Sequence, residues 1–341
     1  MTTTTVTKTR FGVADRNAFG GDGTNRWRCR RVVLVLGLVA LALVVLFLTY
    51  DIKGSWDYAI RLRTRKVVAM GVVGAAVAYS TVLFQTVTNN RILTPSIMGF
   101  DSLYLVIQTI LVWSFGTLTL LQFDERVLFG IEVAVMVAFA GVLHRWLFGR
   151  HDRDLYVLVL VGIVLGTFFS SITALVSRMI DPNEFQTLQD RFFASFSQVD
   201  EQLLGVSVVA VVFCAIAGHG ILRRLDVLVL GREMALGLGV EHRRVVNRAL
   251  ILVAVLVAVS TALVGPITFF GLLVANLARQ LTGTFRHRYV IPTAVLLSII
   301  CLVGGQFVIE RFLSFNATLS VVVNFVGGIY FIGLLLKEAR R

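Results

Sequence analysis

Residues 32–50 read VVLVLGLVALALVVLFLTY, without a single charge, and comparable runs recur as far as the C-terminus. A helix rising 1.5 Å per residue needs about 20 apolar residues to cross a hydrocarbon layer of about 30 Å. In lipid, only helices and closed barrels satisfy every backbone amide. These runs lack the alternate-residue pattern of barrel strands. The expected fold is therefore all-α and polytopic, with ten transmembrane helices at about 32–50, 66–87, 96–117, 124–148, 154–178, 202–222, 246–264, 266–283, 289–308 and 318–337. A charged fraction of 15% and a mean hydropathy of +0.82 agree; soluble domains carry about 25% charged residues.

Residues 1–31 are polar and rich in Thr and Arg, and the first apolar run is too long for a signal sequence. We read 1–31 as a disordered cytoplasmic tail and 32–341 as one transmembrane domain. An even number of spans places both termini on one side. With that side cytoplasmic, the 32 Lys and Arg residues divide 23 inside to 9 outside, as positively charged inner loops require. The same rule accounts for the net charge of +12 without invoking nucleic acid.

Several activities are excluded. Cys29, Cys214 and Cys301 form no metal or disulfide pattern, and the five histidines are scattered. No phosphate-binding GxxxxGK[ST] loop occurs, and none of Lys8, Lys53, Lys66 and Lys337 follows a glycine. There is no GxSxG of a serine hydrolase. Glu132 is the one carboxylate well inside an expected span, too little for a relay of the kind that gradient-driven transporters use. Energy for uphill transport would have to come from another chain.

Three features remain. Residues 226–244, DVLVLGREMALGLGVEHRR, are too charged to cross a bilayer and too apolar for an idle loop. A short amphipathic helix there would place Leu228, Met234 or Ala235, and Leu238 on one side, to meet a soluble partner or to lie on lipid. Five cations, Lys53, Arg61, Arg63, Arg65 and Lys66, cluster on the expected outer side. They could anchor at headgroups or receive an acidic partner. VAYSTVLF (77–84) and VAVSTALV (257–264) match in spans that run in opposite directions, as in the inverted repeats of transporters.

LGREMALGLGV resembles the coupling segment of the permease subunits of ABC importers for iron–siderophore complexes and vitamin B12. The shared positions are Gly231, Glu233, Ala235, Leu238, Gly239 and Val240. QTVTNNRILTPSIMGF resembles the loop between spans 2 and 3 at Gln85, Asn90, Pro95 and Gly99. GPITFFGLLVANLARQLTG resembles the Gly-Pro-Ile segment of span 8 at Gly265, Pro266, Ile267, Phe269, Gly271, Leu272, Arg279 and Gly283. Two departures stand out. Asn90-Arg91 replaces the usual Asn-Pro, and Ala275-Asn276 replaces a Pro-His, which points to one member of a heterodimeric permease pair.

The resemblance implies an inverted-repeat ABC importer permease in the plasma (inner) membrane of a bacterium, importing a ferric siderophore. A cobalamin or haem importer of the same fold is the alternative, and a gradient-driven exporter a more distant one. The chain would be no enzyme and bind no cofactor or metal. ATP and Mg would sit on separate P-loop ATPase subunits. Further partners would be a second, different permease and an extracellular or periplasmic substrate-binding protein. Gly231, Glu233, Ala235, Leu238 and Gly239 would couple to the ATPase. Arg61, Arg63, Lys66 and Arg311 would receive the binding protein. Gln85, Gln108, Gly166, Ser170, Thr173 and Asn324 would lie along the pathway, which small and weakly polar residues should line.

Overall fold

The computed structural model describes residues 22–51, 55–120, 122–148, 155–196, 199–312 and 318–339, which are helical throughout apart from short connections. In chain order the helices are α1 (Asp22–Thr49), α2 (Trp56–Val87), α3 (Phe100–Phe115), α4 (Thr117–Leu120), α5 (Glu125–Phe148), α6 (Leu155–Ser177) and α7 (Pro182–Arg191). Then follow α8 (Glu201–His219), α9 (Leu222–Leu228), α10 (Arg232–Gly237), α11 (His242–Val264), α12 (Phe270–Thr282), α13 (His287–Phe312) and α14 (Leu319–Ala339). The ten long ones, α1, α2, α3, α5, α6, α8, α11, α12, α13 and α14, follow the ten apolar runs in order.

Seven of these helices are long and apolar enough to cross a membrane by length and composition. The shortfall has a local cause at two of the other three. The expected third span starts with a 3-10 turn, Pro95–Met98, before α3 begins. The expected eighth opens with non-helical residues 265–269 before α12. Each break contains a proline, which cannot donate the backbone bond a helix needs. At membrane depth such a break survives only where protein surrounds it. Pro95, Gly265, Pro266 and Ile267 are all buried.

The first helix begins before the first apolar run. Residues 1–21 lie outside the described residues, but 22–31 belong to α1. Cys29 is buried there and its thiol faces the Thr282 carbonyl at 3.5 Å. The helix extends past the apolar run because this turn has something to pack on.

α2 and α11 form the middle of the bundle and pack on each other. One face of α2 (Ala76, Tyr79, Leu83, Phe84) shares a core with α3, α5, α8 and α11. Its other face (Ala69, Met70, Val73, Val82) shares a second core with α12 and α13. Outward-facing Leu, Val, Ile and Phe side chains on α1, α6, α8 and α14 remain exposed, as surfaces that meet lipid or another membrane chain do.

α6 packs on α3 and on the 3-10 turn through glycines. A Cβ on Gly162 would lie 2.7 Å from the Met98 Cα, and one on Gly166 would lie 3.2 Å from the Gly99 Cα. Backbone atoms on the far side cannot swing away. Gly162→Ala should therefore destabilise the purified chain by about 1–3 kcal/mol, read as a lower midpoint of thermal unfolding in detergent. Gly141→Ala, where a Cβ would meet open space, should leave the midpoint unchanged or raise it. Equal midpoints for Gly162→Ala and wild type would show that the contact is looser than drawn.

Candidate functional site

The stretch at 226–244 is not the single amphipathic helix expected from sequence. It is two short helices, α9 and α10, separated by a turn at Leu230 and Gly231. Gly231 has φ +95°, which a side-chain-bearing residue adopts only with strain, and its carbonyl accepts from Ala235 N to begin α10. α10 ends in a Schellman motif. Val240 N donates to Ala235 O and Gly239 N to Leu236 O, both at 3.0 Å, with Gly239 at φ +77°. The two glycines of the motif are thus the two turns that frame one helix.

The faces also differ from expectation. Leu228 and Ala235 are buried against the bundle, whereas Met234 and Leu238 are 65% and 63% exposed. Leu230 and Leu236 are exposed beside them. Glu233, in the first turn of α10, suits the positive end of the helix dipole. α10 and the residues that flank it therefore present four apolar side chains and a carboxylate outward.

What holds this hairpin to the bundle went unnoticed in the sequence. Asp226 on α9 accepts from the backbone N of His287 at 2.8 Å and meets its ring Nδ1 at 2.6 Å. The same carboxylate oxygen thus caps α13 and orients its first side chain. The opposite ring nitrogen lies 2.7 Å from the Thr86 hydroxyl at the end of α2. His287 is 3% exposed as a side chain. Asp226, His287 and Thr86 therefore link α9, α13 and α2. In the sequence Asp226 is one charge in the 226–244 stretch, and His287 is one of five scattered histidines. Neither has a local signature, since they lie 61 residues apart.

At the opposite end of the bundle the cation cluster is largely engaged within the chain. Arg63 donates to the Phe47, Leu48, Tyr50 and Asp51 carbonyls, at 2.7–3.3 Å. These are acceptors that the end of α1 leaves unmatched. Lys66 pairs with Glu310 at 2.9 Å, each side chain only 12% exposed, and Gln306 also donates to Glu310. Arg311 pairs with Asp51 and bonds the Tyr50 carbonyl. Arg65 pairs with Glu201 at 2.6 Å. Arg61, 77% exposed, pairs with Asp57 one turn away. Arg63 and Lys66, expected as docking cations, are thus engaged within the chain. Lys53 lies outside the described residues.

Most of the expected pathway residues face inward within the chain. Gly166 and Thr173 are buried, on the side of α6 that packs against α3. Ser170 remains exposed, bonded to Ser102 at 3.2 Å. Gln85 donates to the Arg91 carbonyl at 2.8 Å and accepts from Arg279, and Asn276 also donates to Arg91 O. Asn324 Oδ1 accepts from Phe269 N, at the break before α12. Gln108 donates to Glu132 at 2.7 Å and accepts from Arg191 at 2.9 Å. Gln85 and Asn324 are caps on interrupted backbone, and small residues on α6 serve close packing.

Gln108, Glu132 and Arg191 border a cleft of about 460 Å³ between α3, α5, α8 and α11. Arg191 reaches it from α7, whose start is signalled by Asp181-Pro182: the Asp181 side chain accepts from Asn183 N. A survey of apolar runs passes over a polar helix of this kind.

Residues 32–337 match the FecCD transport family. Over 308 residues the chain is 48% identical to the petrobactin import system permease protein YclO of Bacillus subtilis, covering 90% of this chain and 97% of that one. It is 34% identical over 284 residues to the petrobactin import system permease protein FatC of Bacillus anthracis, covering 83% and 80%. A solved inward-facing conformation of a metal-chelate type ABC transporter superposes with a TM-score of 0.79 at 22% identity, over 91% of this chain and 99% of that one. The chain belongs to the FecCD transport family.

Proposed function

We propose that this chain is the permease subunit of an ATP-driven importer that carries a ferric siderophore of the petrobactin type across a bacterial plasma membrane. The observation that carries the reading is the α9–α10 hairpin. It exposes Leu230, Met234, Leu236 and Leu238 together and is bonded to the bundle through Asp226. An apolar helix face of this kind suits a groove on a soluble partner, and a rigid tie behind it lets the partner's motion reach the spans. The 48% identity to a petrobactin permease supports the substrate.

In this reading Gly231, Glu233, Ala235, Leu238 and Gly239 form the contact with a separate P-loop ATPase, which holds ATP and Mg. Gly231 and Gly239 set the angle of α10, Ala235 seats it, and Glu233 and Leu238 meet the partner. Both termini and this hairpin lie on the cytoplasmic side. The substrate-binding protein docks at the opposite end. There Arg61 and, less exposed, Arg65 and Arg311 present positive charge, while Arg63 and Lys66 hold the end of α1 and α13 in place. A second, different permease completes the pathway, consistent with Ala275-Asn276 in place of the usual Pro-His.

The decisive assay is iron uptake by vesicles containing this chain with its ATPase and sister permease, supplied with loaded binding protein. Uptake of labelled ferric petrobactin should require ATP and persist when ionophores collapse ion gradients. ATP-independent uptake that ionophores abolish would overturn the reading in favour of a gradient-driven carrier. Omission of the sister permease should abolish uptake; full uptake without it would show that a homodimer suffices.

Glu233→Arg and Gly239→Val should leave the chain inserted yet lower substrate-stimulated ATP hydrolysis by more than about tenfold, equivalent to about 1.4 kcal/mol or more of lost coupling. His287→Phe should do the same while leaving basal hydrolysis intact, because the hairpin stays folded and keeps the backbone bond from residue 287 to Asp226 but loses both ring contacts, to Asp226 and to Thr86. Normal stimulation in all three variants would refute the role of the hairpin.

The two classes of outer cation should separate cleanly. Lys66→Met strands Glu310 in a buried site and should destabilise the chain by about 3–5 kcal/mol, with recovery in the Lys66→Glu/Glu310→Lys exchange. Arg61→Glu should leave thermal unfolding unchanged and weaken binding-protein docking, more at low salt than at high. Unimpaired docking by Arg61→Glu at low salt would remove this residue from the interface.

A further inference from the structure

A small polar cavity lies where α2 crosses α11. Its volume is about 20 Å³, room for one body the size of a water molecule. The matched segments of the internal repeat meet there, Ser80-Thr81 from α2 and Ser260-Thr261 from α11. The remaining polar wall includes Asp101 and Thr268, at the two proline-containing breaks. No Lys, Arg or His lines the cavity among the described residues.

The hydrogen-bond inventory shows which groups are unmatched. Ser80 donates to Val77 O at 3.1 Å and Ser260 to Val257 O at 3.0 Å, the same step in each repeat. Both hydroxyl protons are therefore taken, and the oxygen lone pairs are left. Thr268 donates to Asp101 Oδ2 at 3.0 Å, and Ser96 also bonds this carboxylate. Thr81 and Thr261 are only 1% and 5% exposed, and neither hydroxyl has a partner among the described residues. Two buried, unmatched hydroxyls from matching positions of the two segments thus border a space that also holds a carboxylate bonded, among the described residues, to neutral donors. Leaving a carboxylate charge in such a place without a counter-charge is costly.

We propose that this cavity is a binding site for one sodium ion, held by Asp101 with the hydroxyl oxygens of Ser80, Thr81, Ser260, Thr261 and Thr268. The donor set is all oxygen with a single negative charge, which matches a monovalent hard cation. Divalent ions recruit more carboxylates, and no cluster of three His, Cys, Asp or Glu occurs among the described residues. The ion neutralises Asp101 and draws together both broken helices and both repeats. Interrupted helices use the same physics to hold sodium in unrelated transporters.

The test is binding of radioactive sodium to the full chain reconstituted in nanodiscs, at constant ionic strength set with N-methyl-D-glucamine chloride. Wild type should show saturable binding and a higher unfolding midpoint in sodium than in N-methyl-D-glucamine. Asp101→Asn should lose the saturable component. Thr261→Val and Thr81→Val, which keep the side-chain shape, should each weaken it by about tenfold with the fold intact. These variants retain the test if Asp101→Asn fails to fold. Absence of saturable sodium binding by wild type, or binding unaltered in both threonine variants, would overturn the site and leave the cavity to a water beside a neutral carboxyl group.

Discussion

The α2–α11 crossing organises this bundle. Both helices are among the most buried in the chain, and each core contains one face of α2. In hydrocarbon, apolar side chains gain little from meeting one another, so association rests on close packing and on polar groups finding partners. Small residues at Ala76, Ala254 and Ala258 allow that approach. The serine and threonine pairs at the crossing are then enclosed with little choice of partner, and the broken segments before α3 and α12 close around them. Everything peripheral, from the α6 glycines to the outer cations, is arranged on this pair.

The ten long helices were legible because a bilayer imposes both length and apolarity on a span, and those survive as runs in the sequence. The hairpin was legible as a motif, and Gly231 and Gly239 turn out to be its turns. Its faces were not: a single helical wheel drawn across Gly231 put Leu228 with Leu238, whereas the turn sends one inward and the other outward. The role of small residues on α6 was ambiguous for a physical reason. Gly162 and Gly166 would suit an unobstructed pathway or a tight helix contact, and the close approach of Met98 and Gly99 shows the contact.

Charge was the least legible feature. Arg61 and Lys66 look alike in a run of basic residues, yet one is exposed and the other is closed in a pair with Glu310, 244 positions away. Surface cations interact weakly with neighbours and stay available, whereas a buried pair belongs to the fold. Which of the two a lysine becomes depends on whether a distant helix delivers a carboxylate, and no local pattern records that.

The tie between Asp226 and His287 has a mechanical consequence. Apolar surfaces in contact resist being pushed together but yield readily when drawn apart, because lipid or water can replace either side. A carboxylate bonded at 2.8 Å to a backbone amide and at 2.6 Å to the ring above it resists separation as well. The hairpin is therefore joined to α13 in tension as well as compression, and a pull on α10 reaches this end of the bundle as readily as a push.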